Sequence, residues 1–88
     1  MTFSVIYTTS ARKDLRNLPP DVAQGSIRAI SGTKENPYSF VKKLKGSKKS
    51  PLYSFRIGEY RTIMSIEDDR LIVFVLGIGH RSSIYRKY

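Results

Sequence analysis

The sequence predicts an α+β protein in which a short helical hairpin precedes a run of antiparallel strands. Three apolar runs rich in Ile, Val, Phe and Tyr fill residues 52–81, and the short polar segments 58–59 and 67–70 separate them. Turn residues between β-branched and aromatic runs are typical of consecutive antiparallel strands. Upstream of these strands, apolar residues recur at helical spacing on both sides of Pro19 and Pro20, which indicates two short helices.

A strand and a first helix are expected at the start of the chain. Phe3, Val5 and Tyr7 alternate with neighbours that would lie on the opposite face of a strand. A hydroxyl from Thr9 or Ser10 is then expected to cap the helix, because it can accept a hydrogen bond from a free amide of the first helical turn.

The second helix is expected to begin at the two prolines, since proline ends a preceding helix and is well accepted in a first helical turn. Helical spacing places Ala23, Ile27 and Ile30 on one face. Glycines within the segment weaken the helix, so we expect it to depend on packing against the sheet.

A two-residue turn at 58–59 would determine the register of the strands beside it. Ile57 would pair with Tyr60 and Arg56 with Arg61. Because paired residues share a face, Arg56 and Arg61 would lie side by side, away from the core. Like charges in opposed positions are destabilising, which favours an anion bound between them. Two side chains that extend separately into water are the alternative.

The orientation of the last strand depends on its glycines, at positions 77 and 79. With a tight turn at 67–70, Leu76, Ile78 and His80 would lie on the face of Arg61, and Arg81 would lie on the opposite face. Glycine inside a strand is typical of a bulge, which would reverse this assignment. Both arrangements remain open at the level of sequence.

The chain is strongly basic, and its composition excludes several classes of function. Its 88 residues include 16 Lys and Arg against 7 Asp and Glu, a formal charge of +9, which predicts attraction to nucleic acid or another polyanion. The length predicts one domain over residues 1–88. With no cysteine and one histidine, we expect no metal and no small-molecule cofactor. Without a signal peptide or a membrane-spanning segment, we expect a soluble, cytoplasmic protein with no membrane partner.

A lysine-rich segment that contains no acidic residue precedes the strand that carries Arg56. A lysine run is usually a solvated face, but its position here predicts one extended positive surface for RNA or the ribosome. The lysines assigned to this surface are Lys42, Lys43, Lys45, Lys48 and Lys49.

The order of these motifs resembles the RelE branch of the RelE/ParE toxin superfamily. The residues that carry the resemblance are Lys43-Leu44-Lys45-Gly46, Gly58-Glu59-Tyr60-Arg61, the apolar strand 71–75, His80-Arg81 and Ile84-Tyr85. The resemblance implies a small antiparallel sheet with the helical pair on one face and an open basic groove on the other. It also implies a toxin of a type II toxin–antitoxin system that cleaves mRNA in the ribosomal A site without a metal. The attacking group would be the 2′-hydroxyl, and a cognate antitoxin, expected to be acidic, would hold the enzyme silent.

The resemblance assigns roles to individual residues. Arg61 matches an arginine that clamps the scissile phosphate, Arg81 one that stabilises developing charge, and Tyr85 a tyrosine that stacks on or orients a nucleotide. Arg56 stands where the family has a lysine, so it remains an electrostatic clamp but is a poorer general base. Ser54 replaces a second family lysine, which favours the alternative of an inactive relative.

His80 is a further candidate for catalysis, since an imidazole can transfer protons near neutral pH. A structural histidine is the more common case, and Tyr88 is a rival to Tyr85 for the stacking role. Two other functions remain open besides the inactive relative: a ParE-like inhibitor of DNA gyrase, and a module that binds nucleic acid by charge alone.

Overall fold

The computed structural model describes residues 2–44 and 51–86. Within these ranges the chain forms five strands, two α-helices and two one-turn 3₁₀ helices, Pro37–Ser39 and Ile84–Arg86. None of these helices is long and apolar enough to cross a membrane. The strands and α-helices are β1 (Ser4–Tyr7), α1 (Thr9–Asn17), α2 (Pro20–Ser31), β2 (Lys42–Lys43), β3 (Tyr53–Ile57), β4 (Tyr60–Glu67) and β5 (Ile72–His80).

The strands form one mixed sheet in the order β1-β5-β4-β3-β2. The α+β class predicted from the sequence is confirmed, with one difference inside the sheet. β1 runs parallel to β5, whereas the other neighbouring strands are antiparallel. No tight turn joins β1 to β5, so the sequence holds no turn residues that would determine their relative direction.

The hydrophobic core lies between the sheet and the helices, which cover the same face. Each helix contributes a fully buried aliphatic side chain, and β4 and β5 supply the other side of the core. Burial of these side chains is the main stabilising contribution available to a chain of this size. The buried members of the cluster are Ala11, Ile30, Met64, Val73, Val75 and Ile78.

Helix α1 is capped by Thr8, one residue earlier than predicted. The Thr8 hydroxyl oxygen accepts a hydrogen bond from the Ala11 amide at 3.1 Å, while the hydroxyl donates to the Val75 carbonyl at 3.1 Å. Thr9 and Ser10 already belong to the helix, because Thr8 keeps the extended backbone of β1. The capping residue therefore also joins the end of β1 to β5 by a hydrogen bond.

Helix α2 buries a different face from the one predicted. Ile30 is fully buried and Ser26 is 1% exposed, whereas Ile27 is 45% exposed. Ser26 and Ile30 are four residues apart and lie above one another on the helix, so the buried face of α2 includes the side of Ser26. The prediction was correct for Ile30 and wrong for Ile27, and Ala23 is half-buried.

The register of the β3–β4 hairpin is confirmed. Ile57 pairs with Tyr60 and Arg56 with Arg61 across a two-residue turn. Gly58 in this turn has a φ of 60°, which glycine adopts without the steric cost that a side chain would add. The two arginines therefore occupy adjacent strands on the face opposite the helices.

A β-bulge interrupts the pairing of β4 with β5. Ile63 pairs with Gly77, but the next residue, Met64, pairs with Val75. Leu76 is thus the additional residue of β5 at this point. An additional residue shifts the alternation of side chains by one, so every later side chain of β5 changes face.

The bulge decides which residues of β5 share the sheet face of Arg61, although His80 at the end of the strand still lies close to that residue. Arg61 pairs with Gly79, whereas His80 pairs with Tyr60, and Ile78 lies in the core under the helices. The tight-turn assignment, which placed Ile78 and His80 on the face of Arg61, is therefore wrong. The alternative of a bulge beside a glycine is correct.

Helix α1 also supports the part of β5 that follows the bulge. β1 ends at Tyr7 opposite Val75, so the later residues of β5 have no strand on that side. Asp14 of α1 accepts a hydrogen bond from the Ile78 amide at 3.0 Å. A backbone amide in such a position needs an acceptor, and Asp14 provides it just upstream of His80 and Arg81.

Candidate functional site

A shallow concavity lies where β4 begins and β5 ends, beside the 3₁₀ helix Ile84–Arg86. Four of the five residues predicted to be catalytic line it, together with Ser82. The fifth, Arg56, pairs with Arg61 on the adjacent strand. The lining residues are Arg61, His80, Arg81, Ser82 and Tyr85.

Arg61 lines this concavity and is partly buried. Its Nε–H is buried and has no hydrogen-bond acceptor within the part of the chain that the structure describes. Its guanidinium carbon lies 5.7 Å from the centroid of the Tyr85 ring, within the range of a cation–π contact. The guanidinium is therefore positioned beside the tyrosine, and Arg61 is among the residues that could contact an anion in the concavity.

Tyr85 is held over Arg61 by contacts on two sides. Its neighbour Ile84 is buried against Gly79, where a Cβ atom would lie 3.1 Å from the isoleucine Cδ1. Its hydroxyl oxygen lies 3.0 Å from the Ser54 Oγ, which is a hydrogen bond between the two hydroxyls. The residue remains 41% exposed, so part of the ring is accessible to a base.

Arg81 forms an ion pair with Glu59 of the β3–β4 turn, with 2.8 Å between Nε and the carboxylate. The backbone amide of Arg81 also donates to the Glu59 carbonyl at 2.9 Å. Arg56 donates to the carbonyl of Gly58 in the same turn at 3.2 Å. The turn therefore contacts both flanking arginines, and the carboxylate of Glu59 competes with any anion for Arg81. An exposed ion pair of this kind contributes about 0–1 kcal/mol, so an anionic ligand can displace it.

His80 is exposed, and its ring orientation is determined by local contacts. The Ser82 amide donates to Nδ1 at 3.1 Å, and the Ser82 hydroxyl lies 2.8 Å from the same nitrogen. The His80 ring packs edge-on against Tyr60, with 5.7 Å between centroids. Since Nδ1 accepts the amide hydrogen bond, we assign the proton of the neutral ring to Nε2.

The lysines of the predicted RNA-binding surface are only partly described. Lys42 pairs with Ser54, so it shares the face of Arg56 and Arg61. Lys43 pairs with Tyr53 on the opposite face, and both lysines are exposed. The remaining three, Lys45, Lys48 and Lys49, lie outside the described residues, as does Tyr88.

Acidic residues collect at the other end of β4, in the turn toward β5. Glu67 forms an ion pair with Arg70, and the Tyr38 hydroxyl donates to the Asp68 carboxylate at 2.9 Å. Burial and this carboxylate together raise the pKa of the Tyr38 phenol. Among the described residues, positive charge is concentrated at the end of the sheet with Arg61 and negative charge at the end with Asp68.

Sequence reasoning missed two contacts of this site. Glu59 was treated only as a turn residue, although a carboxylate between two arginine-bearing strands was a signal for an ion pair. Ser54 was treated only as the loss of a lysine. Its hydrogen bond with Tyr85 joins residues 31 positions apart, and no local pattern in the sequence predicts such a contact.

The fold and the sequence both match known toxins. A family model described as the ParE toxin of the type II toxin–antitoxin system parDE matches residues 5–85. The chain is 33% identical to the toxin RelG of Mycobacterium tuberculosis over 88 residues, which cover 99% of this chain and 100% of that protein. Its fold is similar to the toxin–antitoxin complex RelBE2 of M. tuberculosis, with a TM-score of 0.79, 29% identity, and coverage of 92% of this chain and 100% of that chain.

The same fold occurs in the RelE–RelB complex of Pyrococcus horikoshii OT3, with a TM-score of 0.78 and 26% identity over 94% of this chain and 99% of that chain. The chain therefore belongs to the ParE toxin family of the RelE/ParE superfamily, whose members are toxins of type II toxin–antitoxin systems. The resemblance inferred from the sequence motifs is thereby confirmed.

Proposed function

We propose that this protein is a ribosome-dependent endoribonuclease that cleaves mRNA in the ribosomal A site and thereby inhibits translation. The observation that carries this proposal is the grouping of Arg61, Arg81 and Tyr85 around one concavity, with Arg56 adjacent. A protein that bound nucleic acid by charge alone would need the positive surface, but not a tyrosine held over a partly buried arginine. The similarity to RelG and to the RelE-containing complexes supports the same proposal.

The proposed reaction is attack of an RNA 2′-hydroxyl on the neighbouring phosphate. The O2′–P bond forms and the P–O5′ bond breaks, which leaves a 2′,3′-cyclic phosphate and a 5′-hydroxyl. Negative charge develops on the phosphate oxygens, and Arg61 and Arg81 can stabilise it by donating hydrogen bonds. Since guanidinium groups supply this charge, the proposed reaction includes no metal ion and no small-molecule cofactor.

Two further groups have roles in this scheme. The accessible side of the Tyr85 ring can stack on a base and orient the nucleotide, which contributes to the in-line geometry of attack. In its imidazolium form His80 can donate the Nε2 proton to the departing 5′-oxygen and become neutral, while the proton of the 2′-hydroxyl passes to water or to a ribosomal group. Lys42 lies on the same face and extends the positive surface along the RNA.

The experiment that tests this function combines the purified protein with ribosomes stalled on a defined message. We expect new 5′ ends within the codon in the A site, and we expect cleavage to persist when transition metals are chelated at a magnesium concentration that keeps ribosomes intact. Primer extension maps the ends, and naked message of the same sequence is the control. Equal cleavage of naked RNA would contradict ribosome dependence.

Inhibition of DNA gyrase is the second candidate, because the matching family model is described as the ParE toxin. This function needs no arginine and tyrosine grouped for phosphate chemistry, so the concavity disfavours it. A supercoiling assay with purified gyrase separates the two functions. Blocked supercoiling together with an uncleaved message would replace the nuclease by the gyrase inhibitor.

We also propose that a cognate acidic antitoxin covers the basic face. The similar structures from M. tuberculosis and P. horikoshii are complexes of a toxin with its antitoxin, and the arginines here are complementary to an acidic segment that folds on binding. Co-expression with the product of the adjoining small open reading frame is expected to yield a complex and to relieve growth arrest. A product that neither binds nor relieves arrest would exclude it as the antitoxin.

A further inference from the structure

We propose that Ser54 is a positioning residue that holds Tyr85 in place over Arg61. The inference rests on the proposed nuclease function and assigns a role to a position where the resembling family has a lysine. Ser54 then belongs to a functional site, and its presence does not indicate an inactive relative.

The first observation is the burial of Ser54 together with its hydrogen bond. Ser54 is 4% exposed, and its hydroxyl lies 3.0 Å from the hydroxyl of Tyr85. A buried hydroxyl without a partner costs free energy, so this contact is favoured whenever the site is closed to water. β3 is held in place by pairing with β2 on one side and β4 on the other, so Ser54 is a rigid point of attachment.

The second observation is that the described contacts of the 3₁₀ helix Ile84–Arg86 position mainly its backbone and Ile84. Ile84 is buried against Gly79, but Tyr85 and Arg86 are exposed. Burial of Ile84 positions the backbone of this turn and leaves the direction of the Tyr85 side chain undetermined. The hydrogen bond with Ser54 fixes the far end of the ring, and the ring then lies 5.7 Å from the Arg61 guanidinium.

The consequence is a connected arrangement of three side chains from three elements. Ser54 on β3 forms a hydrogen bond with Tyr85, and the Tyr85 ring lies against the guanidinium of Arg61 on β4. Without the serine hydroxyl, the ring would rotate about its side-chain bonds. The base stacked on it and the phosphate on Arg61 would then lose their fixed relative position, which the chemical step requires.

The substitution Ser54→Lys distinguishes the positioning role of Ser54 from the alternative that the site has lost a catalytic lysine at this position. Lysine would remove the hydrogen bond to Tyr85 and place a charge at a buried position near Arg56 and Arg61, where burial and like charges are unfavourable. If the serine merely marks a degenerate site, Ser54→Lys should raise activity. If the serine positions Tyr85, Ser54→Lys should lower it.

The test has one arm that requires no enzymatic activity. The chain contains six tyrosines, so labelling with ζ-¹³C tyrosine gives few NMR resonances, and Tyr85→Phe identifies that of Tyr85. We expect Ser54→Ala to shift the Tyr85 resonance. Ser65→Ala is the control, because Ser65 lies on β4 four residues from Arg61 and is expected to leave this resonance unchanged. An unchanged Tyr85 resonance in Ser54→Ala would overturn the inference.

The second arm measures single-turnover cleavage of ribosome-bound message at saturating protein. Ser54→Ala is expected to lower the rate about three- to tenfold, the effect of losing one positioning hydrogen bond. Added to Tyr85→Phe, the same change should have no further effect, because the phenol through which Ser54 acts is already absent. Ser65→Ala should retain the rate of the unmodified chain. Additive effects of the two changes, or a gain of activity in Ser54→Lys, would overturn the positioning role.

The two arms also separate this inference from the proposed function. An unmodified chain that cleaves no message would overturn the nuclease function, and the NMR arm would then decide alone whether Ser54 holds the Tyr85 ring. An unmodified chain that cleaves, with Ser54→Ala equally fast, would overturn the inference and leave the nuclease function intact.

Discussion

Arg61→Ala is expected to lower the single-turnover rate of mRNA cleavage about 10²–10³-fold, the range observed when a donor aimed at developing negative charge is removed. The residue is partly buried and its guanidinium lies against the Tyr85 ring, so water cannot easily take the place of its charge at the phosphate. The rate is measured with excess protein over ribosome-bound message, so that binding does not limit it. Arg28→Ala is the matched control, because Arg28 is an exposed arginine on α2 in the opposite layer.

The Glu59–Arg81 ion pair offers a second comparison within the same experiment. Arg81→Ala removes the cation that would contact the phosphate, and we expect a loss of about 10²-fold. Glu59→Gln breaks the same ion pair but keeps the arginine, so the rate should change by at most about threefold, as expected for an exposed pair. Equal losses in both variants would show that the ion pair, and not the charge of Arg81, is what the site requires.

Ile30→Ala is expected to have the largest effect on stability, a loss of about 2–5 kcal/mol. Ile30 is fully buried in the core between α2 and the sheet, so truncation removes apolar contacts and leaves a cavity. Domains of this size are stable by about 5–15 kcal/mol, so the loss is a large fraction of the total. Urea unfolding followed by circular dichroism measures the change.

Ile27→Ala is the matched control for this prediction. It is the same substitution in the same helix, three residues earlier, at a side chain that is 45% exposed. We expect a loss below about 1 kcal/mol, because little apolar surface is taken from water at this position. Similar losses for the two variants would mean that α2 does not pack as described.

Local patterns in the sequence determined the hairpin and its register. A two-residue turn containing Gly58 leaves one way to pair β3 with β4, so Arg56 and Arg61 had to lie side by side. The helical hairpin likewise follows from Pro19 and Pro20 and from apolar spacing. These features depend on interactions between neighbouring residues, which a sequence displays directly.

The buried face of α2 was predicted only in part, for a physical reason. Helical spacing defines an apolar stripe along one side of the helix. Both Ile27 and Ser26 lie next to Ile30 on the helix surface, so either could belong to that stripe. Hydrophobicity favoured Ile27, but the tertiary structure buries Ser26 and leaves Ile27 45% exposed. Which side of the stripe is buried depends on where the neighbouring parts of the tertiary structure lie.

The composition of the site was predictable, and its arrangement was decided by the tertiary structure. The sequence identified Arg61, Arg81 and Tyr85 as site residues. A single bulge residue, Leu76, determines which residues of β5 share the sheet face of Arg61. One inserted residue reverses the alternation of a strand, and sequence alone did not decide whether the insertion occurs.

Contacts between segments that are distant in sequence account for the features of the site that the sequence did not predict. The amide beyond the bulge is held by Asp14 of α1, 64 positions away, and the Tyr85 ring by Ser54, 31 positions away. Each contact forms because packing of the helices and strands brings two polar groups together where they are partly shielded from water, and each group then has the other as its hydrogen-bond partner. The sequence by itself determined that this chain carries a cationic face with a tyrosine near its end. Only the packed sheet determined that the tyrosine lies over Arg61 and that a serine holds it there.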